Sequence, residues 1–157
     1  MRPVDHPETS FGLEALKDDR VSVEMIVDGV HVSIEHLAMM KEKKKNKFIG
    51  ITDAIVAAGM PDGTWDLGGL SVSTQNNIAY LTNTKTLAGS TLTMSRVYEI
   101  LTTKVGFSAI EAAHATATHA AKILGLHDVG SIEIGKRADF VVWDQELKHV
   151  YKSGLHI

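Results

Sequence analysis

Two short apolar segments, separated by a helical pattern, constrain the fold of this chain more than any other feature of its sequence. The first alternates apolar and polar residues over 21–28, which is typical of a buried strand that ends in a turn. Ser33 then predicts a helix cap, and residues 48–52 form the second apolar run. A strand, a helix and a strand in this order predict a right-handed parallel crossover, the building unit of α/β proteins.

Further elements are predicted downstream of this unit. Residues 66–82 predict a β-hairpin around Gln75-Asn76-Asn77. Helical spacing follows, first up to Gly106 as a C-terminal cap and then over 108–124 behind a capping box. The tail predicts two strands, at 139–144 and 148–151.

Composition and charge exclude several classes of function. The chain has 157 residues, 44% of them hydrophobic, and a net charge of −3, which predict a soluble globular protein. Nucleic acid is not expected as a partner, because binding phosphates generally needs an excess of Lys and Arg. No apolar run predicts a membrane span or a signal peptide, so we expect a cytoplasmic protein. The absence of cysteine excludes disulfides and a thiol nucleophile.

Asp53 is the leading candidate for chemistry, because it stands where the second apolar run stops. Reacting groups in parallel α/β proteins collect at the carboxyl ends of the strands. A carboxylate there could accept a proton from a metal-bound water and return it to a leaving amine. The alternative is a turn or cap aspartate, since Asp is common at strand ends.

Two more segments could contribute to the same edge of the sheet. His31 follows Asp28-Gly29-Val30, so its ring could bind a substrate oxygen or phosphate, or only satisfy a backbone carbonyl. Leu87-Ala88-Gly89 comes shortly before a predicted helix, where free backbone N–H groups could hold an anion or a sugar hydroxyl. The alternative is that Ser90 or Thr91 simply caps this helix.

Other polar residues are predicted to be structural. The remaining histidines show neither His-x-His nor His-Glu-x-x-His spacing, so we find no metal motif. His114 and His119 are five residues apart, which at about 3.6 residues per turn places them on different faces of a helix. The lysines within 41–47 are predicted to form a solvated helix end.

Several motifs in this chain resemble one enzyme family. In chain order they are Asp28-Gly29-Val30-His31, Ile51-Thr52-Asp53-Ala54, Ala58-Gly59-Met60-Pro61-Asp62-Gly63, Leu67-Gly68-Gly69 and Leu87-Ala88-Gly89-Ser90-Thr91-Leu92-Thr93-Met94. Together they resemble the N-acetylglucosamine-6-phosphate deacetylases. The tail over 130–144 resembles the closing signature of the wider amidohydrolase superfamily. The resemblance covers nearly all of residues 20–154 and matches the C-terminal part of these enzymes.

The resemblance implies an α/β fold class, namely the C-terminal part of a (β/α)8 metal-dependent hydrolase barrel plus strands of a small β domain. Residues 1–125 would supply the last two strand-helix units, with the hairpin near 66–82 as an insertion, and residues 126–157 the β strands. A complete barrel of this kind needs about 250 residues. We therefore expect a homo-oligomer, or pairing with a missing N-terminal part.

The activity implied is hydrolysis of the acetamide of N-acetylglucosamine 6-phosphate to glucosamine 6-phosphate and acetate. Asp53 matches the catalytic aspartate of the family. The substrate-binding positions are matched by Asp28, Gly29, Val30, His31, Leu87, Ala88 and Gly89, with His31 as the expected phosphate or sugar contact. The divalent metal, of zinc or iron type, is held in the family by a Glu and two His on earlier strands. No metal ligand is therefore expected in this chain.

Two alternatives stay open at this point. The chain could be a non-catalytic phosphosugar-binding or assembly fragment, which would agree with the missing metal ligands. It could also be another amidohydrolase, resembling a dihydroorotase or a D-aminoacylase, although only the tail signature supports this. The phosphate-binding arginine of the family has no clear match, and Arg2 is the candidate. We expect the chain alone to be inactive.

Overall fold

The computed structural model describes residues 11–157, and their side chains from residue 14 onward. The elements are α1 (Phe11–Lys17), β1 (Val23–Ile26), α2 (Ile34–Lys44), β2 (Phe48–Ile51), β3 (Thr64–Leu67), β4 (Leu70–Gln75), β5 (Ile78–Leu81), α3 (Met94–Ile100), α4 (Ala109–Ala113), α5 (His119–Ile123), β6 (Phe140–Asp144), β7 (Glu146–Lys152) and β8 (Leu155–His156). A 3-10 turn over Lys45–Lys47 precedes β2, and π-helical turns follow α3 over Leu101–Val105 and α4 over His114–Thr118.

The strands form three separate sheets, so the described part of the chain is a mixed α/β structure in which no barrel closes. β1 and β2 form the parallel pair that the sequence predicts, from Val23 opposite Phe48 to Ile26 opposite Ile51. α2 begins at the predicted cap, because the Ser33 hydroxyl accepts a hydrogen bond from a backbone N–H of the first turn. No helix within residues 11–157 is long and apolar enough to cross a membrane.

One apolar core joins the parallel pair to the helices around it. It contains Leu37 of α2, Phe48 of β2 and Val97 of α3, all fully buried. The rings of Phe48 and Phe107 meet edge to face, with their centres 5.1 Å apart. Burying a side chain of this size stabilises the fold by about 1.5–3 kcal/mol, so this core fixes α2 and α3 against β2.

The lysine-rich end of α2 is not the fully solvated surface that the sequence predicts. Lys44 is only 2% exposed, and its ammonium group donates to the carbonyl oxygens of Asp18 at 2.8 Å and Val21 at 3.2 Å. Lys41 donates to the carbonyl oxygen of Gly106 at 2.8 Å. The methylene stems of long lysine side chains can pack on apolar surface while the charged ends reach polar partners. Here these partners are backbone carbonyls of neighbouring loops.

Replacing Lys44 with Met is expected to destabilise the protein by about 1–3 kcal/mol, because two carbonyl groups would lose their buried donor while the packing of the stem is kept. Urea unfolding followed by circular dichroism measures this change. Lys43 is exposed on the same helix end, and its replacement with Met should change stability by less than about 0.5 kcal/mol. Equal effects of the two substitutions would contradict the prediction.

The predicted hairpin is part of a larger, three-stranded sheet. β4 and β5 pair antiparallel, as the sequence predicts, and Gln75 belongs to β4, where it lies opposite Ile78. β3 pairs with the other side of β4, and this strand was not predicted. Trp65 of β3 donates its indole N–H to the Thr74 hydroxyl at 3.2 Å. A strand of four residues with only two apolar side chains has too weak an alternation to be recognised in the sequence.

The C-terminal third contains the predicted helices and strands, with one addition. α4 begins with the predicted capping box, in which Ser108 and Glu111 exchange side-chain and backbone hydrogen bonds. The two predicted strands are present as β6 and β7, which pair antiparallel, and β8 adds a third strand. The Trp143 ring of β6 lies against Tyr98 of α3, with ring centres 4.8 Å apart. This contact connects the C-terminal sheet to the helix that follows the candidate site.

His114 and His119 are neighbours, so the prediction that they occupy different helix faces is wrong. Their ring centres are 5.8 Å apart. The prediction assumed an uninterrupted α-helix, whereas a π-helical turn begins at His114 and its bonds join residues five apart. The His119 Nδ1 atom also lies 2.8 Å from the carbonyl oxygen of Phe48, so this ring contacts the start of β2.

Acid should weaken the start of α4. The pKa of Glu111 is lowered because its carboxylate accepts hydrogen bonds from the backbone and hydroxyl of Ser108, with Lys41 nearby. In the unfolded chain the Glu111 carboxyl binds a proton more readily than in the folded protein. Its ionised form therefore stabilises the fold at pH values above its ordinary pKa of 4.5, and this stabilisation is lost as the pH falls through the lower pKa of the folded state. Glu111→Gln should therefore lose less stability than the wild type between about pH 6 and pH 3, as measured by urea unfolding. A Glu111→Gln curve that follows the wild type over this range would contradict the prediction.

Candidate active site

The carboxyl ends of β1 and β2 meet at one edge of the parallel pair. The backbone N–H of Val27 donates to the carbonyl oxygen of Ile51 at 3.4 Å, so the chain leaves the two strands side by side. Asp28 follows Val27 directly, and Asp53 comes two residues after Ile51. Neighbouring strands lie about 4.8 Å apart, so the two segments that carry predicted site residues start from adjacent positions.

Asp53 is exposed and has a left-handed backbone, with φ of +50°. This conformation is uncommon for a residue with a side chain and costs about 1 kcal/mol or more. Contacts with Ser90 hold it: the Asp53 carbonyl accepts from the Ser90 N–H at 2.8 Å, and the Ile55 N–H donates to the Ser90 carbonyl at 2.9 Å. The Ser90 hydroxyl also donates to the carbonyl of Thr52. The orientation of Asp53 therefore depends on a residue that lies far along the chain.

Gly89 lies directly beside Asp53. A Cβ atom added to Gly89 would be 3.0 Å from the carbonyl oxygen of Asp53 and 3.7 Å from its Oδ2 atom. It would also be 2.5 Å from the Cγ2 atom of Ile55, and the φ of Gly89 is +63°. Both the space and the backbone conformation require glycine here, because any side chain would collide with Ile55 and strain the backbone. The structure thus brings two of the predicted site residues together.

The three-stranded sheet holds the segment that leads to Gly89. Leu87 forms an antiparallel bridge with Tyr80 of β5, and the N–H of Ala88 donates to the carbonyl of Ala79 at 3.0 Å. Ala88 is buried against this sheet. The position of Gly89 is therefore set by β5 on one side and by the end of β2 on the other.

Ser90 and Thr91 do not cap α3, so that alternative is wrong. The N-cap is Thr93, whose hydroxyl accepts from a backbone N–H of the first turn at 3.3 Å. Ser90 is 4% exposed, and its hydroxyl is used at the end of β2 instead. The role of Ser90 beside Asp53 was missed, because a serine shortly before a helix has the same local pattern as a cap.

Asp28 closes the turn that carries His31. Its Oδ1 atom accepts from the backbone N–H groups of Val30 and His31, both at 2.8 Å. Its Oδ2 atom lies 2.6 Å from Nδ1 of His31. The side chains of Asp28 and His31 are 12% and 19% exposed, and Gly29 takes a positive φ of +76° in the turn between them. Both oxygens of the Asp28 carboxylate are therefore engaged within the turn.

A cleft of about 710 Å³ opens beside these segments. Ligand pockets commonly have volumes of about 300–1,000 Å³, so a sugar phosphate is within its capacity. Asp53 and His31 are not among its lining residues, so the cleft adjoins them without enclosing them. The candidate Arg2 lies outside the described residues. The cleft is lined by Asp28–Val30, Asn76–Ile78, Ser90–Thr93, Arg96 and Lys104, among others.

Within residues 11–157, no group of three or more His, Asp or Glu side chains is placed to hold a metal ion. A catalytic zinc site generally has three protein ligands. Asp53 offers one exposed carboxylate at the edge of the sheet, whereas Asp28 is engaged within its turn. The described residues therefore do not fit a metal centre on their own.

Comparison with known proteins gives a consistent family relationship. Residues 3–155 match the family model described as "Amidohydrolase family". The chain is 37% identical to the N-acetylglucosamine-6-phosphate deacetylase of Bacillus subtilis, over 90% of this chain and 36% of that protein. It is 35% identical to a protein of Escherichia coli K12 that is provisionally named an N-acetylgalactosamine-6-phosphate deacetylase, over 100% of this chain and 89% of that protein.

A solved structure is similar as well. The N-acetyl-D-glucosamine-6-phosphate deacetylase of Mycobacterium smegmatis, solved as a variant in complex with N-acetyl-D-glucosamine-6-phosphate, superimposes with a TM-score of 0.92 at 33% identity. The alignment covers 99% of this chain and 42% of that one. The chain thus spans less than half of the Bacillus and Mycobacterium relatives and most of the Escherichia coli K12 relative.

Proposed function

Because this chain belongs to the amidohydrolase family, we propose that it takes part in hydrolysing the acetamide of an N-acetylhexosamine 6-phosphate. N-acetylglucosamine 6-phosphate is the first candidate substrate, and glucosamine 6-phosphate and acetate are then the products. The relatives named for the galactosamine and glucosamine compounds both support this substrate class. In this proposal β1 and β2, each with the helix that follows it, are the last two strand-helix units of a (β/α)8 barrel. Residues 126–157 are then strands of its small β domain.

The observation that carries the proposal is the position of Asp53 beside Gly89. An exposed carboxylate at the carboxyl end of a parallel strand is suited to general acid–base chemistry. In the proposed reaction a water oxygen bonds to the acetyl carbon and the C–N bond breaks. Asp53 accepts the proton of that water and passes it to the departing nitrogen, so protons and charge balance.

Substrate binding is assigned to the two segments on either side of Asp53. Leu87-Ala88-Gly89 presents backbone groups close to the Asp53 carboxylate, because the absence of a side chain at Gly89 leaves this approach open. His31 presents an imidazole from the neighbouring strand end. We assign the contacts with the sugar phosphate to these residues. Amidohydrolases typically depend on a metal, and in this proposal protein outside this chain holds it.

We also propose that the chain pairs with further protein or with a copy of itself. β1 and β2 form a sheet of only two strands, so the backbone groups on its outer edges have no strand partner within the described residues. The C-terminal sheet exposes apolar residues, including Val141 at 58% and Leu155 at 71%. Sedimentation of the purified chain should show a species larger than a monomer, and a stable monomer at micromolar concentration would contradict self-association.

The function can be tested by replacing the matched 36% of the Bacillus subtilis relative with this chain. The chimera should release acetate from N-acetylglucosamine 6-phosphate in the presence of zinc, whereas the chain alone should not. The galactosamine compound is assayed in parallel, because it decides which epimer is preferred. A folded chimera that is inactive on both compounds would contradict the proposal, as would acetate release by the chain alone at a comparable rate.

A further inference from the structure

Both carboxylate oxygens of Asp28 form hydrogen bonds within its own turn. The backbone N–H groups of Val30 and His31 both donate to Oδ1 at 2.8 Å, and Nδ1 of the His31 imidazole lies 2.6 Å from Oδ2. The carboxylate is 12% exposed. Asp28 therefore has little surface left for a ligand, although the segment that it closes borders the cleft.

The short contact with Oδ2 determines which nitrogen of His31 carries hydrogen. An ionised carboxylate only accepts hydrogen bonds, so Nδ1 must be the donor whether the ring is neutral or charged. In the neutral ring the lone pair is then on Nε2, which can accept a hydrogen bond from a hydroxyl group. The hydrogen bond that one ring nitrogen makes, often to a carboxylate, sets which nitrogen of a histidine carries hydrogen.

We propose that Asp28 is a positioning residue, which fixes His31 as the Nδ1–H tautomer and thereby presents Nε2 to a sugar hydroxyl. The resemblance implies direct substrate contact for Asp28, whereas the geometry favours an indirect role through His31. The identity of the ligand rests on the proposed function, but the tautomer does not. The tautomer of His31 in the wild type and in Asp28→Asn therefore tests the proposal, and the change in ligand binding is expected to follow from the tautomer.

The test compares the wild type with Asp28→Asn in the full chain. An asparagine oxygen can still accept from the two backbone N–H groups, but its amide NH₂ then faces the imidazole as a donor. The ring should switch to the Nε2–H tautomer, which long-range ¹H–¹⁵N correlation spectra distinguish directly. The His31 signals are identified by their loss in His31→Ala. Circular dichroism checks that each variant is folded.

Binding of glucosamine 6-phosphate, measured by calorimetry, should weaken about 10-fold in Asp28→Asn, the effect of losing one hydrogen bond. His31→Ala should weaken binding at least as much, and the double variant no more than His31→Ala, because Asp28 acts through the ring. Asp66→Asn is the matched control: Asp66 also accepts a backbone N–H within a turn, from Gly69 at 3.2 Å, but forms no hydrogen bond with a histidine of the described part of the chain. It should change neither the tautomer nor the affinity.

Two results would overturn the proposal. One is a neutral wild-type ring that carries hydrogen on Nε2 and none on Nδ1, which needs no variant and can be observed even if Asp28→Asn fails to fold. The other is a folded Asp28→Asn that keeps the Nδ1–H tautomer. A wild type that shows the expected tautomer but binds no glucosamine 6-phosphate counts against the proposed function alone, so the two failures are distinguishable.

Discussion

Replacing Asp53 with Asn is expected to lower acetate release by the active chimera about 100- to 10,000-fold, the usual range for losing a general acid–base group. The amide of Asn cannot accept the proton of the attacking water. Asn tolerates the left-handed backbone of this position, so the substitution should leave the fold intact. The measurement is the initial rate of acetate release at saturating substrate, together with calorimetric affinity for glucosamine 6-phosphate.

The matched control for this prediction is Asp66→Asn, which makes the same chemical change in a turn of the three-stranded sheet. It should keep the wild-type rate. If an Asp53→Asn chimera retains more than about a tenth of the activity, Asp53 is not the general acid–base group of the reaction. Loss of activity accompanied by unfolding would assign Asp53 a structural role instead, and circular dichroism separates the two results.

Gly89→Ala is expected to destabilise the chain by about 2–4 kcal/mol, the largest effect on stability predicted here. The new Cβ would lie 2.5 Å from Cγ2 of Ile55 and 3.0 Å from the carbonyl oxygen of Asp53, so the backbone beside the candidate site has to move. The φ of +63° adds the cost of a left-handed alanine. Urea unfolding gives the change in the free energy of unfolding.

Gly68 supplies a control with nearly the same φ, +61°, and nothing lies within 4 Å of a Cβ atom added there. Gly68→Ala should therefore cost only about 1 kcal/mol, the part that comes from the left-handed conformation. The difference between the two variants isolates the collision beside Asp53. If both substitutions cost the same, the close approach of Gly89 to Ile55 is not a feature of the folded protein in solution.

Patterns within a few residues were enough to predict most of the elements. The parallel unit follows from the apolar runs around Ser33, and the helix ends follow from Gly106 and the capping box at Ser108. The short strands β3 and β8 were not predicted, because β3 has only two apolar side chains and β8 has only two residues. The contact of His114 with His119 was missed, because a π-helical turn has no distinct local pattern.

In the candidate site too, some features could be predicted from the sequence and others could not. The order of residues along the chain already indicates that Asp28 and Asp53 follow neighbouring parallel strands, because that argument needs only two strands and a crossover. The use of Ser90 to hold the backbone of Asp53 could not be inferred, since the two residues are far apart in the chain. Likewise, the resemblance identifies the segment around His31, but only atomic distances show that Asp28 is engaged by it.

Local preference accounts for what could be read from the residues alone: the succession of helices, strands and caps is set by interactions between near neighbours. The folded chain decides everything that depends on partners brought from a distance. Lys44 is buried because the carbonyls of Asp18 and Val21 face it, and Gly89 must be glycine because Asp53 and Ile55 leave no room for a side chain. Hydrogen bonds and close packing act over a few ångströms in space, and separation along the chain does not report that distance.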